Sequence, residues 1–281
     1  MRLPPSYPMA LLAALITLTP ICILMVLASD SSSYFDSHNL TILGNTLALM
    51  GLTVLGSILI GVPLAFISAY VHLPFKKAWL VLFAAPLAIP SYIGAFTLYA
   101  AFGPGGEINN LLGFETPSMY GLSGAAIVMT LYTFPFVMMT TRSSLLSLDA
   151  SMVNAARTLG MSMTQSVFKV ILPRVVNGIA AGSLLVALYT LSDFGTPAMM
   201  RLDTFTRVIY VEYNAFELGR AAMLSLQLMV IVGFLLLIES QIKTASERHG
   251  RPLILFPSKI QLSALFTLFA PVLLLAIGLP L

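Results

Sequence analysis

The sequence predicts an all-α polytopic membrane protein, with six spanning helices followed by a seventh hydrophobic helix. Three observations carry that prediction. Hydrophobic residues make up 58% of the 281 positions and charged residues only 9%, against roughly 25% charged in an ordinary soluble domain. Apolar runs of about 20 residues, the length that crosses a bilayer core of about 30 Å, recur along the chain. Lys and Arg concentrate in alternate connecting segments, which is the positive-inside pattern of a multi-pass protein. The mean hydropathy of +0.94 exceeds what a soluble core of this size can hide, so the solvent is lipid. A barrel is a poor alternative, because its strands read as short alternating segments and not as continuous apolar runs.

The spans are expected at 8–28, 43–70, 78–102, 122–141, 178–194, 221–239 and 261–281. The first contains the lone Cys22, so no disulfide framework exists within the chain. It is too long for a removable secretory signal and lacks a small-residue cleavage site, so it reads as a retained anchor. The second is long enough to tilt or to project from the bilayer. Its Gly51, Gly56, Gly61 and Pro63 suit close helix approach, which drives association in lipid. The third carries Ala85-Pro86-Leu87-Ala88-Ile89-Pro90-Ser91-Tyr92-Ile93. Each proline removes a helix hydrogen bond, so the helix kinks or breaks there. Broken backbone in a membrane must be buried in protein or face a watery cavity. Both a substrate pathway and a structural kink satisfy that condition.

The fifth span ends in Leu191-Ser192-Asp193-Phe194-Gly195-Thr196-Pro197. Asp193 is the acidic residue best placed to lie at membrane depth, and such groups usually face a bundle interior or an aqueous path. An interfacial position, or a cap on a short following helix, is the other reading. Tyr92 and Tyr189 join Asp193, Pro86 and Pro90 as candidate pathway residues. The seventh span opens after a linker and carries Pro271, as the first carries Pro20. The simplest reading divides the chain into a six-span unit at 1–240, a cytoplasmic linker at 241–260, and at 261–281 the first span of a second, truncated repeat. A true seven-span protein is the alternative.

Charge sets the orientation. Arg2, Lys76, Lys77, Arg142, Arg157, Lys169, Arg174, Lys243, Arg248, Arg251 and Lys259 share one side, which makes eleven of the fourteen Lys and Arg residues. Arg201, Arg207 and Arg220 stand on the other with Asp30, Asp36, Glu107, Glu115, Asp203, Glu212 and Glu217. The N-terminus and the loop at 154–173 are therefore expected in the cytoplasm. The basic residues are dispersed, so they report topology and not nucleic-acid binding.

The 154–173 loop reads Asn154-Ala155-Ala156-Arg157-Thr158-Leu159-Gly160, then nine residues, then Val170-Ile171-Leu172-Pro173. Asp149, Ser151 or Ser147 can cap a helix through 154–159, and Gly160 can take the positive φ that ends it. Ser162 or Thr164 can start the next helix. Spacing alone leaves two readings open, a docking surface for a partner and an amphipathic helix lying on headgroups. The wording resembles the coupling loop of ABC-type import permeases, Glu-Ala-Ala, three residues, Gly, nine residues, Ile-x-Leu-Pro. Ala155, Ala156, Gly160, Leu172, Pro173 and all the spacings match. Val170 replaces Ile, and Asn154 stands where the family has Glu. The Pro-Leu-Ala-Ile-Pro run and the Asp-Phe-Gly with Thr204-Phe205-Thr206 are similar to the ferric-iron branch of that family.

The resemblance implies a permease subunit of an ATP-driven importer, with its coupling loop within 143–176. It further implies a cytoplasmic ABC ATPase dimer that binds ATP and Mg, a periplasmic substrate-binding protein, a second permease half, and alternating access in a bacterial inner membrane. It points to ferric iron, with thiamine, polyamine, sulfate and phosphonate as the alternatives within the family. The residues themselves exclude some chemistry. There is no Gly-x-x-x-x-Gly-Lys-Ser/Thr phosphate loop, so the chain is not expected to hydrolyse ATP alone. His38, His72 and His249 lie in separate segments, and no metal site, resident cofactor or catalytic pair is expected. From a different class, an ion-coupled secondary transporter would need several intramembrane ionisable groups, and a membrane enzyme would need convergent polar side chains.

Overall fold

The computed structural model describes residues 7–29, 37–72, 74–108, 113 and 119–241. The expected linker and seventh span, with Arg2, Asp30, Asp36, Glu115, Lys243, Arg248, Arg251 and Lys259, lie outside the described residues. What is described is helical with no β-sheet. The helices are α1 (Tyr7–Ser29), α2 (Ser37–Tyr70), α3 (Lys76–Ala84), α4 (Ser91–Phe102), α5 (Gly121–Leu146), α6 (Ala150–Thr158), α7 (Met163–Ser192), α8 (Gly195–Met199), α9 (Phe205–Asn214) and α10 (Leu218–Gln241). Four of them, α2, α5, α7 and α10, are long and apolar enough to cross a membrane. The bent pair formed by Lys76–Ala88 and α4 makes a fifth candidate span. The described apolar stretch of α1, Leu18–Ser29, is shorter than a span.

The core is α2 packed on α5, with α7 against both. Two glycines set how closely these helices approach. A Cβ on Gly61 would meet the Phe134 carbonyl oxygen at 2.9 Å and the Met138 nitrogen at 3.0 Å, and one on Gly182 would meet the Val137 Cα at 2.6 Å. Backbone-to-backbone packing of this kind replaces the hydrophobic drive that lipid removes. Gly51 departs from the sequence expectation: a Cβ there would meet no atom within 4 Å, so it does not set a close helix approach. Ser57 and Thr133 share a buried hydrogen bond of 3.0 Å across the α2–α5 seam. Tyr70 ends α2 by donating from its hydroxyl to the Leu145 carbonyl at 3.1 Å. The C-terminal ends of α2 and α5 therefore lie on one face.

Both proline expectations for the third span are met. After α3 the chain tightens into a 3-10 turn, Ala85–Ala88, with Pro86 in its first turn. Ile89 is then extended, as the residue before a proline must be. The two halves meet at 89°. The fifth span differs from expectation at its start. Instead of beginning near 178, α7 is continuous from Met163, passing through a π-helical turn at Val167–Ile171. That turn ends two positions before Pro173, whose ring excludes the carbonyl four residues back and whose missing N–H leaves a bond unmade.

Candidate functional site: the 147–162 connection and the Asp193 junction

The connection between α5 and α7 is built from local capping chemistry. Asp149, and not Ser147 or Ser151, is the cap of α6: its carboxylate accepts from the Ser151 N–H at 3.0 Å. Gly160 has φ +85°. Its N–H bonds the Arg157 carbonyl, and the Met161 N–H bonds the Ala156 carbonyl, which together form the Schellman motif that closes a helix. Ser162 then opens α7 through a capping box. The Gln165 N–H donates to the Ser162 Oγ at 3.2 Å, and the Ser162 N–H donates to the Gln165 Oε1 at 3.0 Å. The Ser-x-x-Gln pattern at 162–165 was legible in the sequence as that box.

These caps fix which residues face outward. Val153 is buried and belongs to the same core cluster as Tyr70, Leu145, Ile171 and Val175. Ala156, three residues on, is also buried. One face of α6 thus clamps the connection to the helix bundle. Asn154, Ala155, Gly160 and Pro173 are exposed, and Val170 and Leu172 are half-buried. Of the two alanines, Ala155 alone offers its face outward. Leu159 is 83% exposed, an apolar side chain at the tip of a polar turn, and the motif match had not singled it out.

The pathway candidates cluster around a second junction. Ser91 is buried at the start of α4 and donates to the Asp193 Oδ1 at 2.7 Å. The Thr196 N–H donates to the Asp193 Oδ2 at 2.9 Å. Thr206 donates from its hydroxyl to the Asp193 backbone carbonyl at 2.8 Å. Asp193 is therefore both a cap for the chain entering α8 and a link to the third span. The Tyr189 ring packs on Phe136 with centroids 5.9 Å apart. Tyr92 lies against Gly195 and is 52% exposed. Pro86 is buried in its turn and Pro90 is exposed at the break. Ser91 and Thr206 are junction residues that polarity alone did not single out, because their partner lies about a hundred residues away in one case. Among the described residues, no three His, Cys, Asp or Glu side chains are grouped to hold a metal.

The pattern of binding-protein-dependent transport system inner membrane components matches residues 61–241. The chain belongs to that family. This permease is 30% identical over 191 residues to the Fe(3+)-transport system permease protein FbpB 2 of Haemophilus influenzae, a match that spans 68% of the chain and 35% of that protein. It is 29% identical over 229 residues to the probable molybdenum ABC transporter permease protein HVO_B0370 of Haloferax volcanii, covering 79% of the chain and 84% of that protein. Its fold is similar to a chain of a bacterial ABC transporter involved in the import of the acidic polysaccharide alginate, with TM-score 0.61, 17% identity, and 85% and 96% of the two chains covered.

Proposed function

We propose that this permease forms half of the membrane pathway of an ATP-driven importer, and that its cargo is ferric iron. Asn154, Ala155, Leu159 and Gly160 would dock in a cleft of a cytoplasmic ABC ATPase. A periplasmic binding protein would deliver cargo to the opposite face, and a second permease half, fused or separate, would complete the pathway. The observation that carries the reading is the capped helix–turn–helix at 147–162. It is capped at the start of each helix, bound to the bundle through Val153 and Ala156, and exposed at its tip. A headgroup-lying helix would bury its apolar face in lipid, whereas α6 turns that face into its own core.

The charge distribution supports the orientation, with the N-terminus and this connection in the cytoplasm. Lys76, Lys77, Arg142, Arg157, Lys169 and Arg174 gather at the face of the connection, against Asp149 and Glu239. The opposite face carries Arg201, Arg207 and Arg220 against Glu107, Asp203, Glu212 and Glu217. The pathway would run past the third-span break, at Pro86, Pro90 and Tyr92, and past Tyr189 and Asp193. ATP and Mg would be bound by the partner ATPase and not by this chain.

The iron assignment rests on the Pro-Leu-Ala-Ile-Pro and Asp-Phe-Gly segments and on the similarity to the Fe(3+) permease. Selection of the hard cation would fall to the binding protein, since a permease with so few oxygen donors coordinates it poorly. The second reading is a different cargo in the same family, favoured by the molybdenum relative, which this chain matches over most of its length. The test is uptake into vesicles holding the permease, its second half and the ATPase, with the binding protein outside. ATP-dependent uptake of ⁵⁵Fe(III), unaffected by excess molybdate or sulfate, is the expected result. Uptake of an oxyanion and not of iron would overturn the cargo assignment.

A further inference from the structure

We infer that the Ser91–Asp193 contact is a latch between two broken helices, and that the transport cycle must open it. The inference rests on the importer reading and adds a moving part to it. Two interruptions of helical backbone lie side by side here. One is Ile89–Pro90, where both residues are extended between the 3-10 turn and α4. The other is Asp193, extended with φ −75° and ψ 123°, between α7 and α8. Such sites absorb large changes of φ and ψ at little cost, which is what hinges do. Left unsupported, each would leave polar backbone groups without partners in apolar surroundings.

One carboxylate serves both breaks. Asp193 Oδ1 takes the Ser91 hydroxyl from the third span, Oδ2 takes the Thr196 N–H at the start of α8, and the Asp193 carbonyl takes the Thr206 hydroxyl from α9. Two elements hydrogen-bond to this one carboxyl group and a third to its backbone carbonyl, so this is a firm tie. The junction also holds one donor more than it uses. The Thr196 hydroxyl is fully buried with no partner among the described residues.

The junction has a mechanical connection to the far face. Helix α7 is continuous from the Ser162 capping box to Ser192. Thirty residues at 1.5 Å each make a rod about 45 Å long. One end is the turn at Gly160, and the other end is Asp193. A displacement of the 147–162 connection therefore reaches the latch through a single helix. The Ser91 side of the latch belongs to a different rod, α4, which meets α3 at 89°. Relative movement of α7 and α4 has to separate Ser91 from Asp193.

A disulfide across the two breaks tests this. A Cβ on Gly195 would lie 2.7 Å from the Tyr92 Cβ, and a disulfide needs about 3.5–4.5 Å, so a small spreading brings the pair into range. The cysteine-free parent is made by Cys22→Ser, a change at an exposed position of α1. Tyr92→Cys with Gly195→Cys is then added, and the full assembly is reconstituted with its ATPase, binding protein and second half. Uptake by the double variant is scored only against itself, whatever its level relative to the parent: oxidation should bridge the pair and reduce that uptake to background, and reductant should return it to the level of the never-oxidised double variant. Full uptake with the bridge formed, or no bridge under oxidant, overturns the latch. If the cysteine-free parent itself shows no ATP-driven uptake, the importer reading fails and takes the latch with it.

A second measurement avoids cysteines. Ser91→Ala and Asp193→Ala should each raise ATP hydrolysis in the absence of loaded binding protein. The double variant should rise no further than Asp193→Ala alone, because that change already removes the Ser91 bond. Additive effects, or unchanged hydrolysis in all three, would contradict the latch.

Discussion

Gly160 illustrates how much a single residue decides. Its φ of +85° lies where an L side chain is strained, yet no atom stands within 4 Å of a Cβ built there. A substitution therefore costs local strain of roughly 1–2 kcal/mol and no clash. Gly160→Asp should leave insertion intact while placing a charge in the docking turn. Uptake should be lost while ATP hydrolysis continues, and normal uptake in vesicles would count against the docking role. Asn154 is exposed on the outer face of α6. Where the family has a carboxylate, it offers only neutral hydrogen bonds, about half as strong as charge-assisted ones. Asn154→Glu should hold or raise affinity for the ATPase in a detergent binding titration, and a marked loss would show an acidic or closed partner surface. Gly61 faces backbone, which cannot yield as a side chain can. Gly61→Val should destabilise the α2–α5 seam by about 1–3 kcal/mol, read as a lowered thermal midpoint in detergent. Gly51→Val, in open space, is its control, and equal behaviour of the two would contradict the packing account.

At the scale of elements, the connection between α5 and α7 depends on its caps. Ser162→Ala removes one half of the capping box and should cost about 1 kcal/mol. Hydrogen exchange should accelerate at 163–166 and not in the middle of α7. Unchanged protection there would show that packing, and not the cap, holds the start of that helix. Much of this was legible in the sequence, because caps and breaks are local. Asp149, Gly160 and Ser162 announce a helix, a stop and a start within fourteen residues, and Pro86 with Pro90 announces the bend. What was not legible depends on distant partners. The inward turn of Ala156 requires the α2–α5–α7 core to exist. The Ser91–Asp193 bond joins residues whose proximity only the bundle creates. Ser162 marks a helix start, but the fusion of that helix with the fifth span was not legible, because the polar residues among 163–169 interrupt the apolar run while in the fold they extend the spanning helix beyond its apolar part.

For the whole molecule, two faces differ in what they present. One bears the capped connection and most of the described cations. The other bears α9, with Tyr210, Tyr213 and the neighbouring Phe216 exposed, and the Arg220–Glu212 ion pair at 3.3 Å. Helix α1 packs its Ala28 end on Ala222 and Met223 of α10. The family relationship and the apolar helices establish a multi-pass membrane component. The central claim is that the tip of the 147–162 connection docks on the ATPase. The most direct measurement places a photo-crosslinking amino acid at Leu159, 83% exposed, in vesicles holding the full assembly. A covalent adduct with the ATPase, lost when the ATPase is omitted, is the predicted result. Adducts with lipid or with the binding protein, and none with the ATPase, would contradict the account.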